Sequence, residues 1–186
     1  MRFFNAPIFS ISSLVLLCLQ ERKHMATKLK NLSETSLDKN TAFKKWQIAL
    51  VVADWNPSIT YAMRDAAIAF LKEKGIKNSN IHVHSVPGTF ELALGSQYLA
   101  AQNKIDAVIS IGCVIQGETR HFDFICNACA NGITEVGLKF NKPVIFGVLT
   151  TNTLEQAQDR AGGKHGNKGI EAAETALKML MLRANI

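Results

Sequence analysis

Four strand-like runs, each followed by a segment of helical length, constrain this chain more than any other feature of it. They are "WQIALVVA" (46–53), "IHVHSV" (81–86), "DAVISIGCVI" (106–115) and "PVIFGVLT" (143–150). In the first, third and fourth nearly every position is apolar, the pattern of a strand covered on both faces. "SITYAMRDAAIAFLKEKG" puts Ile59, Met63, Ala66, Ala67 and Phe70 on one helical face and stops at Gly75. "TFELALGSQYLAAQN" reads as a helix opened by Pro87-Gly88, and Phe122 to about Leu138 as another. "TLEQAQDRAGG" reads as a short helix, and "NKGIEAAETALKMLMLRA" as a long one with Ile170, Ala173, Leu177 and Leu180 in register. Strands joined by helices of crossover length imply an α/β fold. Helices should cover both faces of a mainly parallel, doubly wound sheet, giving a three-layer α/β/α sandwich.

The 186 residues suffice for one domain with its own core. That domain is expected over residues 42–186, and residues 1–41 are expected to be an extension with little fixed structure. Residues 1–25 carry one early Arg, an apolar run around Ile11 to Leu19, and then a charged patch, which resembles a targeting segment. The run is shorter than the roughly 20 residues a membrane-spanning helix needs. Met25 opens "MATKLKNLSE", which reads as a natural start. On that reading residues 1–24 come from an over-long gene start and the protein is cytoplasmic. Plastid targeting or export by the extension is the alternative.

Charge is concentrated in the same extension. Residues 1–45 hold eight Lys or Arg against three Asp or Glu, whereas residues 46–186 hold thirteen against twelve. The folded part is almost neutral, so the basic character of the chain does not argue for a nucleic-acid partner. The four cysteines, Cys18, Cys113, Cys126 and Cys129, do not form a secreted disulfide framework.

In doubly wound sheets, ligands bind beyond the carboxyl ends of the strands. The residues there are Asp54-Trp55-Asn56, Pro87 to Glu91, Gln116 to His121, and Thr150-Thr151-Asn152. Trp55 can stack on a flat heteroaromatic ring or cap the edge of the core, and its position alone leaves both open. Glu91, expected in the first turn of a helix, gains typically 0.3–1 kcal/mol from the helix dipole. That suffices to explain it; the functional alternative is a carboxylate for a polyhydroxylated ligand. Gly117 and Thr119 lie where a strand hands over to a helix, so free backbone N–H groups there suit an anion. Thr119 as a simple helix cap is the alternative. Glu118 opposes an anion site unless it points away, with Arg120 available to offset its charge. His121 beside that site can move a proton near neutral pH.

Other candidates carry less. "DRAGGKHGNKG" (159–169) is rich in Gly and Lys but matches neither nucleotide-binding glycine motif. It reads as an inter-helix turn with Asn167 capping the last helix, which leaves Arg160, Lys164 and Lys168 unexplained. Cys126 and Cys129 form a C-x-x-C inside a predicted helix and read as packed thiols. His82 and His84 share a strand face with no third ligand in view, so no metal is assigned.

The segments "VVADWN", "VPGTFELALG", "IGCVIQGETRHFDFICNACANGI" and "KPVIFGVLTTNTLEQAQDRAGGKHGNKGIEAA" occur in this order at the strand ends. Together they closely resemble the 6,7-dimethyl-8-ribityllumazine synthase family, the penultimate enzymes of riboflavin synthesis, from about Trp46 to Leu182. The resemblance implies a flavodoxin-like sheet and a cofactor-free transferase. It would condense 5-amino-6-(D-ribitylamino)uracil with 3,4-dihydroxy-2-butanone 4-phosphate. A non-catalytic flavin- or lumazine-binding or shell-forming protein of the same fold is the alternative. By resemblance, Trp55 stacks on the pyrimidine, and Asn56, Thr89, Phe90 and Glu91 hold the ribityl chain and position its ring. Cys113, Val114 and Ile115 read the pyrimidine edge through backbone groups. Gly117, Glu118 and Thr119 hold the phosphate, and His121 transfers protons beside it. Phe146 and Arg160 come from the neighbouring subunit, Arg160 as a second phosphate clamp, and Lys168 completes the pyrimidine end. Gln116 stands at a position often basic in the family. The resemblance also implies homo-oligomers, either pentamers or a hollow icosahedral shell of pentamers. The short turn "GGKHGNKG" is similar to that of shell-forming members.

Overall fold

The computed structural model describes Leu37 and residues 41–186. The expectations for residues 1–36 and 38–40 lie outside the described residues. A short 3-10 turn, Thr41–Lys45, leads into the sheet, and Trp46 stacks on Phe43 with ring centroids 5.1 Å apart. Both rings are buried. The strand expected from Trp46 therefore starts later, at Ile48, because Trp46 is committed to that stack and its N–H donates to the Phe43 carbonyl.

Strands β1 (Ile48–Ala53), β2 (Ile81–Val86), β3 (Ala107–Ile115) and β4 (Val144–Thr151) form one sheet in the order β2-β1-β3-β4, all parallel. Side chains along β1 alternate between two cores. Ile48, Leu50 and Val52 face helices α1 (Pro57–Lys74) and α5 (Lys168–Ala184). Ala49, Val51 and Ala53 face α2 (Leu92–Ala100) and α3 (His121–Phe140). A period of two on a sheet covered on both faces is what the unbroken apolar runs require. The three-layer α/β/α architecture is as expected, and among the described residues every strand of the main sheet is parallel. The β1–β3 boundary is the point where the connections reverse direction, and it opens a crevice above the strand ends.

Helix ends follow local chemistry. Gly75, at φ 110°, ends α1 and donates its N–H to the Leu71 and Lys72 carbonyls. Helix α2 begins at Leu92, three residues later than the sequence suggests. Residues 87–90 are drawn into a turn whose Thr89 hydroxyl reaches the carbonyl of Cys113, 3.5 Å away. Helix α4 (Leu154–Arg160) stops before the two glycines expected within it. Ala161–Gly163 instead pairs antiparallel with Gly166–Asn167, as β5 and β6, and Gly162 and Gly166 take φ of 123° and 82°. Only glycine adopts those angles readily. Asn167 caps α5 as expected, accepting from the Gly169 N–H at 2.8 Å.

Helices α1 and α5 touch through Gly169. A Cβ built there would overlap the carbonyl of Met63. Backbone cannot yield as a side chain does, so Gly169→Ala should destabilise by about 1–3 kcal/mol or more through overpacking. Chemical denaturation should show a lower midpoint at unchanged slope; an unchanged midpoint would refute the close approach.

Candidate active site

The carbonyl of Cys113 organises the crevice. β3 pairs with β1 only as far as Ile111, but with β4 as far as Ile115. Past Ile111, β3 thus has no strand beside it on the β1 side. Asn56 Nδ2 donates to the Cys113 carbonyl at 3.1 Å, and Thr89 Oγ1 reaches it at 3.5 Å. A buried carbonyl without a ladder partner needs such donors. Asn56 can reach because it adopts a left-handed conformation, φ 59° and ψ 55°, which asparagine tolerates, and Pro57 then starts α1. A side chain at Gly112 would collide with Leu92 and Thr89, so the strand and the 87–92 turn meet closely there.

These three loops enclose a cleft of about 380 Å³. Of the residues singled out in the sequence, Trp55, Asn56, Thr89, Phe90, Glu91, Cys113, Val114, Ile115, Gly117, Thr119 and His121 line it. Gly88, which the sequence places at a strand end without a role of its own, lines it too, as do Phe122 and Ile125, which the sequence reading missed. Trp55 is 70% exposed and Phe90 57%, so two large aromatic faces stand open at its rim. Trp55 caps no core; of its two readings the edge-of-core role is the one that fails. The Glu91 carboxylate accepts no hydrogen bond among the described residues, and it does not cap α2. It remains open to a ligand with hydroxyl groups. Burial pushes the Cys113 thiol up to about 11, which keeps it in the weakly nucleophilic thiol form near neutral pH, while its carbonyl is engaged by Asn56 and Thr89.

The Gly117–Arg120 loop supplies the polar end. The N–H groups of Gly117, Glu118 and Thr119 donate no hydrogen bond among the described residues. Gln116 Nε2 donates to the Gly117 carbonyl at 2.7 Å and lies 3.5 Å from that of Thr119, engaging the loop's acceptors. A loop with tied carbonyls and free amides suits an anion. Thr119 Oγ1 accepts from the His121 N–H at 3.4 Å, so it caps α3 weakly while lining the cleft. Glu118 is exposed and does not line the cleft. Arg120 does not offset it: its Nε lies 3.5 Å from Asp123 Oδ2 instead. His121 is the first residue of α3, and its ring has no partner among the described residues.

Phe146, Arg160 and Lys168 do not line this cleft. Phe146 and Lys168 line a second groove beside β4 and α5, together with Glu171, Thr175 and Met179. Arg160 joins them through Glu171. Its Nη2 donates to Glu171 Oε2 at 3.0 Å and its Nη1 to the His165 carbonyl at 2.7 Å. Glu171 Oε1 lies 2.8 Å from the same Nη2 but off the hydrogen-bonding direction, and it accepts no bond. Lys168 Nζ is 3.4 Å from Glu171 Oε2. Glu171 thus gathers both cations, a role the sequence shows only as the three-residue spacing to Lys168. Lys164 turns to Asp159, at 2.9 Å. Burial also pushes the Cys129 thiol up to about 12 and raises that of Cys126, which fits packed thiols rather than a redox pair. His82 donates from Nε2 to Gln47 Oε1 at 2.7 Å.

Comparison with known proteins agrees with this geometry. A family model described as 6,7-dimethyl-8-ribityllumazine synthase matches residues 45–184. A 6,7-dimethyl-8-ribityllumazine synthase of Cytophaga hutchinsonii is 60% identical over 154 residues, covering 78% of this chain and 97% of that one. One of Porphyromonas gingivalis is 53% identical, covering 83% and 96%. One of Parabacteroides distasonis is 47% identical, covering 86% and 100%. The chain belongs to the 6,7-dimethyl-8-ribityllumazine synthase family.

Proposed function

We propose that this chain condenses 5-amino-6-(D-ribitylamino)uracil with 3,4-dihydroxy-2-butanone 4-phosphate to give 6,7-dimethyl-8-ribityllumazine, phosphate and water. The observation that carries the reading is the cleft itself. Open aromatic faces, a free carboxylate, exposed strand-end backbone, unpaired amides and an imidazole converge at one topological switch point.

In this reading the uracil lies on Trp55 and meets the backbone of Cys113 to Ile115. Its ribityl hydroxyls meet Asn56, Thr89, Phe90 and Glu91. The phosphate sits on the amides of Gly117, Glu118 and Thr119 with the Thr119 hydroxyl. The amine attacks the ketone and water leaves to form an imine; phosphate is then expelled, and ring closure with loss of a second water completes the lumazine. His121 moves protons in these steps. Holding two small reactants in register can supply roughly 7–11 kcal/mol of the barrier. Donors already aimed at the phosphate stabilise it as charge develops.

Phe146, Arg160 and Lys168 enter from a neighbouring chain, with Arg160 clamping the phosphate and Lys168 closing the pyrimidine end. Their place in a separate groove of the same chain supports this division. Glu171 and the His165 carbonyl hold the Arg160 guanidinium, whose side chain is only 17% exposed, so little ordering is needed when the anion arrives. A site shared in this way needs at least two chains; the family resemblance makes that assembly a pentamer, and the short β5–β6 turn favours a closed shell of pentamers. Residues 42–186 form the catalytic domain. Among the described residues no helix is long and apolar enough to cross a membrane. The phosphate substrate does not pass a bilayer unaided, which supports a cytoplasmic site of action.

Kinetics of lumazine formation, followed by product fluorescence, test the roles. His121→Ala should lower kcat by about 10²–10⁴-fold with binding largely intact. Arg160→Ala should mainly raise the KM for the butanone phosphate, by about 10–100-fold for a lost charge-assisted pair. Arg160→Ala kinetics equal to wild type would refute the clamp. Light scattering after size exclusion should give a particle far larger than one pentamer; a discrete pentamer would refute the shell.

A further inference from the structure

The turn that carries Trp55 is held by a contact outside the cleft. Tyr61 lies one turn into α1, with its ring half-buried against the core shared by α1 and α5. Its hydroxyl donates to Asp54 Oδ1 at 2.9 Å. The Arg64 guanidinium covers the ring 4.4 Å from its centroid, and its Nε pairs with Asp65 at 2.7 Å, leaving Asp54 to Tyr61. Asp54 is also fixed through its main chain, donating its N–H to the Val86 carbonyl at 2.8 Å. On the other side of Trp55, Asn56 is fixed to Cys113. Trp55 itself is largely exposed. A ring with so little packing of its own is aimed by the backbone beneath it.

Resting on the function proposed above, the geometry points to Tyr61 as a positioning residue for the pyrimidine: through Asp54 it holds the β1–α1 turn so that Trp55 presents its face to the cleft. The bond to Asp54 also raises the pKa of the Tyr61 hydroxyl, which keeps it a donor throughout the neutral range. Tyr61 touches neither the cleft nor the reacting atoms, so its effect is on binding of one substrate alone. The phosphate end, built on the Gly117–His121 segment, does not depend on it.

Tyr61→Phe keeps the buried ring and removes only the hydroxyl. Its KM for the ribitylaminouracil should rise about three- to tenfold, with kcat within about twofold and the KM for the butanone phosphate unchanged. Asp54→Ala should do the same, and Asp54→Asn, whose side-chain oxygen still accepts the bond, should restore the wild-type value. A second readout needs no turnover. Trp46 is buried and Trp55 exposed, so acrylamide selects Trp55. Time-resolved anisotropy of the quenchable tryptophan should show faster local motion in Tyr61→Phe and Asp54→Ala, and wild-type motion in Asp54→Asn. Unchanged KM and anisotropy in both variants, or an equal change in both KM values and kcat, would overturn the proposal. A wild-type chain that makes no lumazine would overturn the functional reading, whereas an active wild type with indifferent variants would overturn the positioning role of Tyr61 alone.

Discussion

One backbone carbonyl, that of Cys113, sets the form of the site. It exists as an unmet acceptor because β3 outruns β1 in their ladder. The chain satisfies it with Asn56 from the loop after β1 and Thr89 from the loop after β2. Three strand ends are thereby tied to one point, and the space left between them is the cleft. The cost appears locally, in a left-handed asparagine and in a helix α2 that starts three residues late. Both departures from regular structure lie at the strand ends that carry function, where local propensity commonly yields to a site.

Division of labour along the cleft follows from the same scaffold. The Trp55 end offers flat apolar faces and strand-end backbone, suited to a ring with donors and acceptors on its edge. The Gly117 end offers amides at the start of a 20-residue helix, suited to an anion. His121 lines the same cleft, at the start of that helix. The full cations Arg160 and Lys168 stand elsewhere in the chain, gathered by Glu171. Among the described residues, one protomer therefore holds amides and an imidazole suited to an anion but no lysine or arginine lining its cleft. That incompleteness is the physical reason to expect a second chain at the site.

Much of this was legible in the sequence, for identifiable reasons. Apolar runs without alternation gave the doubly covered strands, and the order of strands and helices gave the parallel sheet. Most of the candidate residues, which stand at or directly after the strand ends in the sequence, line one cleft. What escaped was set by tertiary contacts. Glu171 gathers Arg160 from eleven residues away across a hairpin, and no helical spacing signals that pair. The hairpin itself depends on two positive φ values that the glycine-rich run permits without demanding. Thr89 left its helix for a carbonyl 24 residues on. Phe122 and Ile125 read as ordinary helix residues, because only the turn of α3 over the strand ends brings them to the cleft.

The claim that one cleft needs two chains can be measured directly. His121→Ala and Arg160→Ala subunits can be co-refolded in equal amounts and assayed for lumazine formation at a butanone phosphate concentration far below the KM of the Arg160→Ala variant, where each variant alone keeps only a small fraction of wild-type activity. In a head-to-tail ring each site draws His121 from one chain and Arg160 from the next, so about a quarter of the sites regain both wild-type residues. Recovery of activity toward that fraction of wild type is the predicted result. Activity no higher than the mean of the two separate variants, from mixed particles of normal size, would mean that each chain serves its own site and would contradict the account.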